Sequence, residues 1–231
     1  MDTATAESFA ELADALVGDV DPMDFLQLVT VTCVDVLGGA AAGVLLSDHR
    51  GALRVAAASS EQALQLLQRH PDDGPSLECF RTGRPIAVAD LAACVDRWTD
   101  FVAQARGRGF VSALAVPMRL RAELIGVLTV YGTEPVVRDA ATLRLGQALA
   151  DMATIGLLQL GATRSRERVV ERLQTTINNR IIVEQAKGVL AERLHLNMDR
   201  SFALLHDTAS RDSRRLSDLA RAIVDGSELV F

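Results

Sequence analysis

The residues best equipped for chemistry in this chain are two cations, Arg180 and Lys187, in the stretch NNRIIVEQAKGVLAERL. Seven residues apart, they differ by only about 20° on a helical wheel and lie about 10 Å apart along one stripe. Cations at that separation reach neighbouring phosphates of a nucleic-acid backbone. Gln185 carries donors and acceptors for unpaired bases, the usual means of reading sequence in RNA loops. Arg211, Arg214 and Arg215 add a second basic cluster. The spacing also fits ordinary surface pairing, Arg180 with Glu184 at i,i+4 and Glu184 with Lys187 at i,i+3. By itself the stripe leaves both readings open.

Other reactive side chains are sparse. Cys33, Cys79 and Cys94 are too few and too scattered for a disulfide framework or a zinc cluster. Cys79, near an apolar stretch, reads as a small buried hydrophobe. His49 in a turn and His70 beside Pro71 read as solvated loop histidines rather than haem ligands. The pair Asp72-Asp73 sits among Gly and Pro, where it serves a turn better than acid–base work. No G-x-x-x-x-G-K-[ST], H-E-x-x-H, G-x-S-x-G or C-x-x-C occurs. The expectation is a non-enzyme without a metal site.

Composition narrows the class. The chain has 231 residues, 49% of them hydrophobic and 23% charged, which excludes wholesale disorder. No run of 18 apolar residues occurs, and Asp2, Glu7, Glu11 and Asp14 stand where a signal peptide needs basic and then apolar residues. A soluble, cytoplasmic protein is expected. Residues 1–162 carry a balance of −8 and residues 163–231 one of +2, suggesting two modules with different partners. Of 24 basic residues only Lys187 is a lysine.

The elements that position these residues follow from periodicity. Phe9, Leu12, Ala13, Leu16 and Val17 recur at helical spacing over 7–17, and Leu26, Val29, Cys33, Val36 and Leu37 over 22–37. Pro22 suits a first turn, and Gly38-Gly39 stops that helix. AAAGVLLSD and ALRVAAAS read as a hairpin around Asp48-His49-Arg50-Gly51. A helix at 60–69, a loop at 71–75, a short helix ending near Gly83, a strand at 85–89 and a helix at 97–108 follow. VSALAVPMRL and ELIGVLTVYG form a second hairpin through Arg121-Ala122, in which Pro117 implies an edge position or a bulge. From Arg138 a helical pattern runs to about residue 196, with a seam of Leu145, Leu149, Met152, Ile155 and Gln159. Together these predict a central antiparallel sheet with helices on one face. Trp98 and Phe101 are expected to pack a core or line a cavity.

Three stretches through most of 20–160 carry a resemblance: LVTVTCVDVLGG, the hairpin with LRVAAASSE, and DDGPSLECFRTGRPIAVADL followed by RWTDFVAQARGRGFVSALAVPMRLRAELIGVLTVYGT. They resemble a GAF domain, a small sensory fold. The resemblance implies a six-stranded-type antiparallel sheet, a ligand pocket on one face and dimerisation through flanking helices. Related members often have Cys after the Gly-Pro pair, where this chain has Ser76. No residues match the cyclic-nucleotide pattern, so the ligand and any cofactor are unknown.

The tail reads as three helices. In the first, Ile182, Val183, Ala186, Val189 and Leu190 form one apolar face, while Leu173, Ile177, Ile181 and Ala191 form a second that suits a partner subunit. Asn197 is expected to cap the second helix, with Met198, Phe202, Leu205 and Ala209 on its buried side. Ser217 is expected to cap the third, whose core face is Leu216, Leu219, Ala220, Ile223 and Val224. Ala186 and Gly188 suit close helix packing.

Arg180 with Ile182, the run EQAKG, Phe202, Leu205, Ala209 and Arg215-Leu216-x-Asp218-x-Ala220 resemble the ANTAR domain, the RNA-binding module of transcription antitermination regulators. The resemblance implies a dimer that holds RNA stem-loops in mRNA leaders, under control of a GAF ligand or signalling partner and with no membrane. Expected RNA-binding residues are Arg180, Gln185, Lys187, Arg211, Arg214 and Arg215. Ser201, His206 and Ser210 depart from the usual Ala, Arg and Arg, removing two cations. The expected architecture is an α+β GAF domain with dimerisation helices over 1–162. A long helix joins it to an all-α three-helix ANTAR bundle over 163–231. Three short helices with arginines at the last also resemble helix-turn-helix modules that bind DNA. A tail that only dimerises is a further alternative.

Overall fold

The computed structural model describes residues 3–17, 20–48, 50–69, 73–159, 169–212 and 214–227. Helices α1 (Thr3–Val17) and α2 (Pro22–Leu37) come first. Asp21 starts α2 by accepting the Met23 amide at 2.8 Å, with Pro22 in the first turn, and Gly38 ends it in the left-handed region at φ 61°. Strands β1 (Ala41–Ser47) and β2 (Leu53–Ala58) pair antiparallel, as the hairpin reading expects. Helices α3 (Glu61–Arg69) and α4 (Pro75–Thr82), strand β3 (Ile86–Val88), a 3-10 turn at Leu91–Cys94 and helix α5 (Thr99–Gly107) follow. Strands β4 (Ser112–Leu120) and β5 (Glu123–Gly132) then form the second hairpin.

Among the described residues the sheet has five strands, all antiparallel, in the order β2-β1-β5-β4-β3. That is one strand fewer than the family resemblance implies. Pro117 satisfies both of its expectations. Pairing of β3 with β4 stops at Ala115, leaving Pro117 at a local edge, and the register slips between Met118 and Arg119.

Helices cover both faces of the sheet rather than one. Along β1, Ala42, Val44 and Leu46 point to a core shared with α1, α2 and α6 (Ala140–Gln159), while Ala41 and Leu45 point the other way. The second face is closed by Leu64 and Leu67 of α3, Cys79 of α4, and an aromatic group in which Phe110 stacks on buried Tyr131, Phe101 tilts against it and Trp98 meets Phe101 edge-on. The apolar face of α3 is legible in its period, but no local pattern tells which side of the sheet a helix packs on. Trp98 and Phe101 are therefore core residues. In the seam on α6, Leu149 is buried in the first core whereas Ile155 is exposed.

The third cluster belongs to α7 (Val169–Leu194), α8 (Met198–Arg211) and α9 (Leu216–Val224). Val183, Ala186 and Leu190 of α7 meet Leu205 and Ala209 of α8 and Leu216, Leu219, Ala220 and Ile223 of α9. Asn197 caps α8 as expected, accepting the Arg200 amide at 2.8 Å. Ser217 is not a cap: α9 begins at Leu216, two residues earlier than a Ser217 cap requires, with Arg215 in the cap position, and Ser217 lies buried within the first turn. Val224 is partly exposed at the frayed end of the core face. On the second apolar stripe of α7, Ile181 is 53% exposed. The side chains of Leu173 and Ile177, and the stretch 160–168 between α6 and α7, lie outside the described residues, as do His49, His70 and Asp72.

The two halves touch. Met23 of α2 is buried in the helical bundle's own cluster, and α7 packs against the edge strand β2 and against α2. Among the described residues no helix is long and apolar enough to cross a membrane.

Candidate nucleic-acid interface

The α7 stripe is formed as the spacing requires, with both cations on one side of the helix. Arg180 Nη2 lies 2.8 Å from Glu184 Oε1, and Lys187 Nζ lies 3.0 Å from Glu184 Oε2. Both intrahelical pairings legible in the sequence are therefore present. A third partner comes from across the chain: Lys187 Nζ lies 3.1 Å from Glu61 Oε2 at the start of α3. The ammonium also stands 5.7 Å from the centre of the Phe202 ring on α8.

These cations are buried, not presented to solvent. Arg180 is 5% exposed and Lys187 3%. Burial lowers the pKa of the Arg180 guanidinium, opposed by the carboxylates of Glu184 and Glu61. Its Nε is buried with no hydrogen-bond partner among the described residues. Beside the pair runs a small cleft of about 30 Å³, whose walls include Ser59, Ser60 and Glu61 from one half and Arg180, Lys187 and Phe202 from the other.

The remaining expected contacts lie elsewhere. Gln185 is exposed on α7, some 200° around the helix from Lys187. Arg211 is exposed at the end of α8 and pairs with its neighbour Asp212 at 3.2 Å. Arg214 and Arg215 are exposed at the α8–α9 corner. The six residues thus form a buried pair, an exposed glutamine and an exposed arginine corner rather than one continuous surface. Ala186 is fully buried, in keeping with close packing, but Gly188 is exposed, and a Cβ there would meet nothing within 4 Å. Close helix packing does not account for that glycine.

Of the departures, Ser201 is buried and its hydroxyl returns to the Asn197 carbonyl at 3.0 Å. His206 packs against Phe202 and acts electrostatically on Asp24 of α2. The Asp24 pKa is pushed up to about 6 by burial and by Asp21, with His206 opposing. Ser210 is exposed.

Glu61, Asp21, Met23 and Asp24 did not stand out in the sequence as part of this site. Glu61 is 126 residues from Lys187, and it reads only as an acidic first-turn residue of a nine-residue helix. No local pattern marks a partner at that separation.

In the N-terminal half, Asp73 does what a turn carboxylate does, accepting the Gly74 amide at 2.8 Å and the Phe101 amide at 3.2 Å. Cys79 is buried, and burial pushes its thiol up to about 12. Such a thiol is unreactive at neutral pH. Ser76 shares a hydrogen bond of 2.8 Å with Thr129 beneath α4.

A family model described as GAF domain matches residues 19–157, well over half of the chain, and one described as ANTAR domain matches residues 171–224. No curated protein matches. Among solved structures, the GAF domain of an Acinetobacter phosphoenolpyruvate-protein phosphotransferase is 15% identical with a TM-score of 0.55, covering 71% of this chain and 99% of that one. The GAF domain of a Coxiella burnetii phosphoenolpyruvate-protein phosphotransferase is 16% identical with a TM-score of 0.56, covering 68% and 95%. Free methionine-R-sulfoxide reductase from Neisseria meningitidis is 17% identical with a TM-score of 0.55, covering 71% and 95%. At such identities the likeness is one of fold.

Proposed function

This chain belongs to the GAF domain family and carries an ANTAR domain after it, and from that premise we propose that it is a signal-responsive RNA-binding transcription antiterminator. GAF is a sensory domain family and ANTAR an RNA-binding antiterminator family; both are regulatory rather than catalytic. The observation that carries the finer reading is the ANTAR match over 171–224, with Arg180 and Lys187 on one stripe of its first helix.

In this reading the protein is a cytoplasmic homodimer and not an enzyme. Its sensory unit spans 1–162 and its RNA-binding unit 163–231. The ANTAR pair holds stem-loops of a nascent mRNA leader, so that a terminator needing the same nucleotides cannot fold. Arg180 and Lys187 take backbone phosphates, Gln185 reads an unpaired base, and Arg211, Arg214 and Arg215 extend the phosphate track. A signal received by the GAF domain shifts the population of RNA-competent molecules.

The test is crosslinking of the tagged protein to RNA in its native cell, beside an Arg180→Ala/Lys187→Ala double variant. Leader RNAs with paired hairpins before a terminator, lost in the variant, are the expected result. No enrichment over the variant would sink the RNA reading and turn attention to DNA or to a tail that only dimerises.

A further inference from the structure

We propose that the GAF domain acts as an intramolecular competitor of RNA: Glu61, together with Glu184, occupies the α7 cations in the arrangement seen here, and RNA gains them only when α7 leaves the sheet edge. This inference rests on the RNA-binding reading above and names its regulation.

The first argument is access. A phosphate oxygen must come within hydrogen-bond distance of Arg180 or Lys187, and these side chains are 5% and 3% exposed, in a cleft walled by Ser59, Ser60 and Glu61 of the GAF half and by Phe202 of their own bundle. The second is chemical equivalence. Carboxylate oxygens stand 2.8 to 3.1 Å from the two cations, where phosphate oxygens would stand in an RNA complex. Glu184 stays beside Lys187 on the same helix, so when Lys187 leaves Glu61 the place of that one carboxylate passes to water or to another anion.

The third argument is that the contact is easily exchanged. Desolvation of a buried ion pair offsets most of its attraction, so carboxylate and phosphate partners are close competitors. Apart from the ion pairs, α2 contributes Met23 to the bundle's cluster of buried residues, and α7 packs against β1, β2 and α2. Asp21 adds one 3.3 Å hydrogen bond from Ser217.

Finally, the contact is wired to the sensory half. Glu61 is the first residue of α3, and the same short helix places Leu64 and Leu67 in the core on the second sheet face. Anything that repacks that core beneath α3 displaces the carboxylate that holds Lys187.

Lys187 is the only lysine in the chain, so amine acylation read by mass spectrometry reports its exposure directly. Two full-length variants test the proposal, with the leader RNA most enriched by crosslinking as the probe. In a Cys94→Ser background, Asp21→Cys/Ser217→Cys allows a disulfide to pin α2 to α9, with its formation checked by mass. Oxidised protein should bind RNA at least roughly tenfold more weakly than the same protein reduced. Glu61→Ala should acylate faster at Lys187 and bind RNA roughly three- to tenfold more tightly than the parent. Equal binding by oxidised and reduced protein would overturn the proposal, as would faster acylation of Glu61→Ala without a gain in affinity. If no RNA is bound by any form, the RNA reading itself fails and this inference goes with it.

Discussion

The Ser217 hydroxyl donates to Asp21 Oδ2 at 3.3 Å across 196 residues of chain, while Asp21 Oδ1 caps α2 through the Met23 amide. One carboxylate thus starts a helix of the sensory domain and holds the last helix of the other domain. Ser217→Ala removes the second task and leaves the first. The expected loss is about 1 kcal/mol of interdomain stability, with the helix content of α9 unchanged because Ser217 is not its cap. Faster acylation of Lys187 with unchanged circular dichroism is the expected reading; a drop in helicity would return Ser217 to a capping role.

Asp24 gives the interface a pH dependence. Burial and Asp21 on its own helix raise its pKa to about 6 from a model-peptide 3.8, and His206 on α8 opposes them. A raised carboxyl pKa means that the packed state binds a proton more readily than the unfolded one. Its contribution to stability is therefore full below about pH 4 and is lost as pH rises through about 6. Asp24→Asn should stabilise the protein at pH 7.5 by roughly 2 kcal/mol and flatten the dependence of the denaturant midpoint between pH 4.5 and 7. A parent midpoint already flat across that window would show that Asp24 is not so perturbed.

Gly74 precedes α4 at φ 94°, and a Cβ there would stand 2.6 Å from the Phe101 ring. Both the backbone conformation and the contact demand glycine. Gly74→Ala should cost roughly 1–3 kcal/mol in chemical denaturation and disturb the aromatic cluster around Tyr131, visible as a change in near-ultraviolet dichroism. An unchanged midpoint would mean that the loop and Phe101 yield without cost.

What the sequence disclosed follows the range of the interactions involved. Helix α2 was legible from Pro22 to Leu37 because its cap, proline and terminal glycine are adjacent in sequence, and Asn197 was legible for the same reason. The apolar runs of β1, β4 and β5, bounded by turn residues, are a local signal, and so is the misfit of Pro117. The cation stripe was legible as a helical period, as were both pairings through Glu184. What escaped depends on contacts across domains. That Arg180 and Lys187 are buried follows from where β2, Glu61 and Phe202 stand, and no pattern within α7 encodes it. Ser217 was misread because Ser before an apolar run is a good cap anywhere. Its actual partner comes from the other end of the chain.

Gly188 offers a test of where RNA approaches. It is exposed in the middle of α7, its φ is not in the left-handed region, and a Cβ there would meet nothing within 4 Å. Folding alone therefore gains from alanine. Gly188→Ala should stabilise the protein by about 0.5–1 kcal/mol through helix propensity. If the RNA backbone comes close to the helix beside Lys187, the added methyl group stands in its way. The expected outcome is then a higher denaturant midpoint together with weaker RNA binding and unchanged acylation of Lys187. Improved stability with unchanged RNA affinity would place the RNA path away from this turn of α7, leaving the arginine corner at 211–215 to carry the contact.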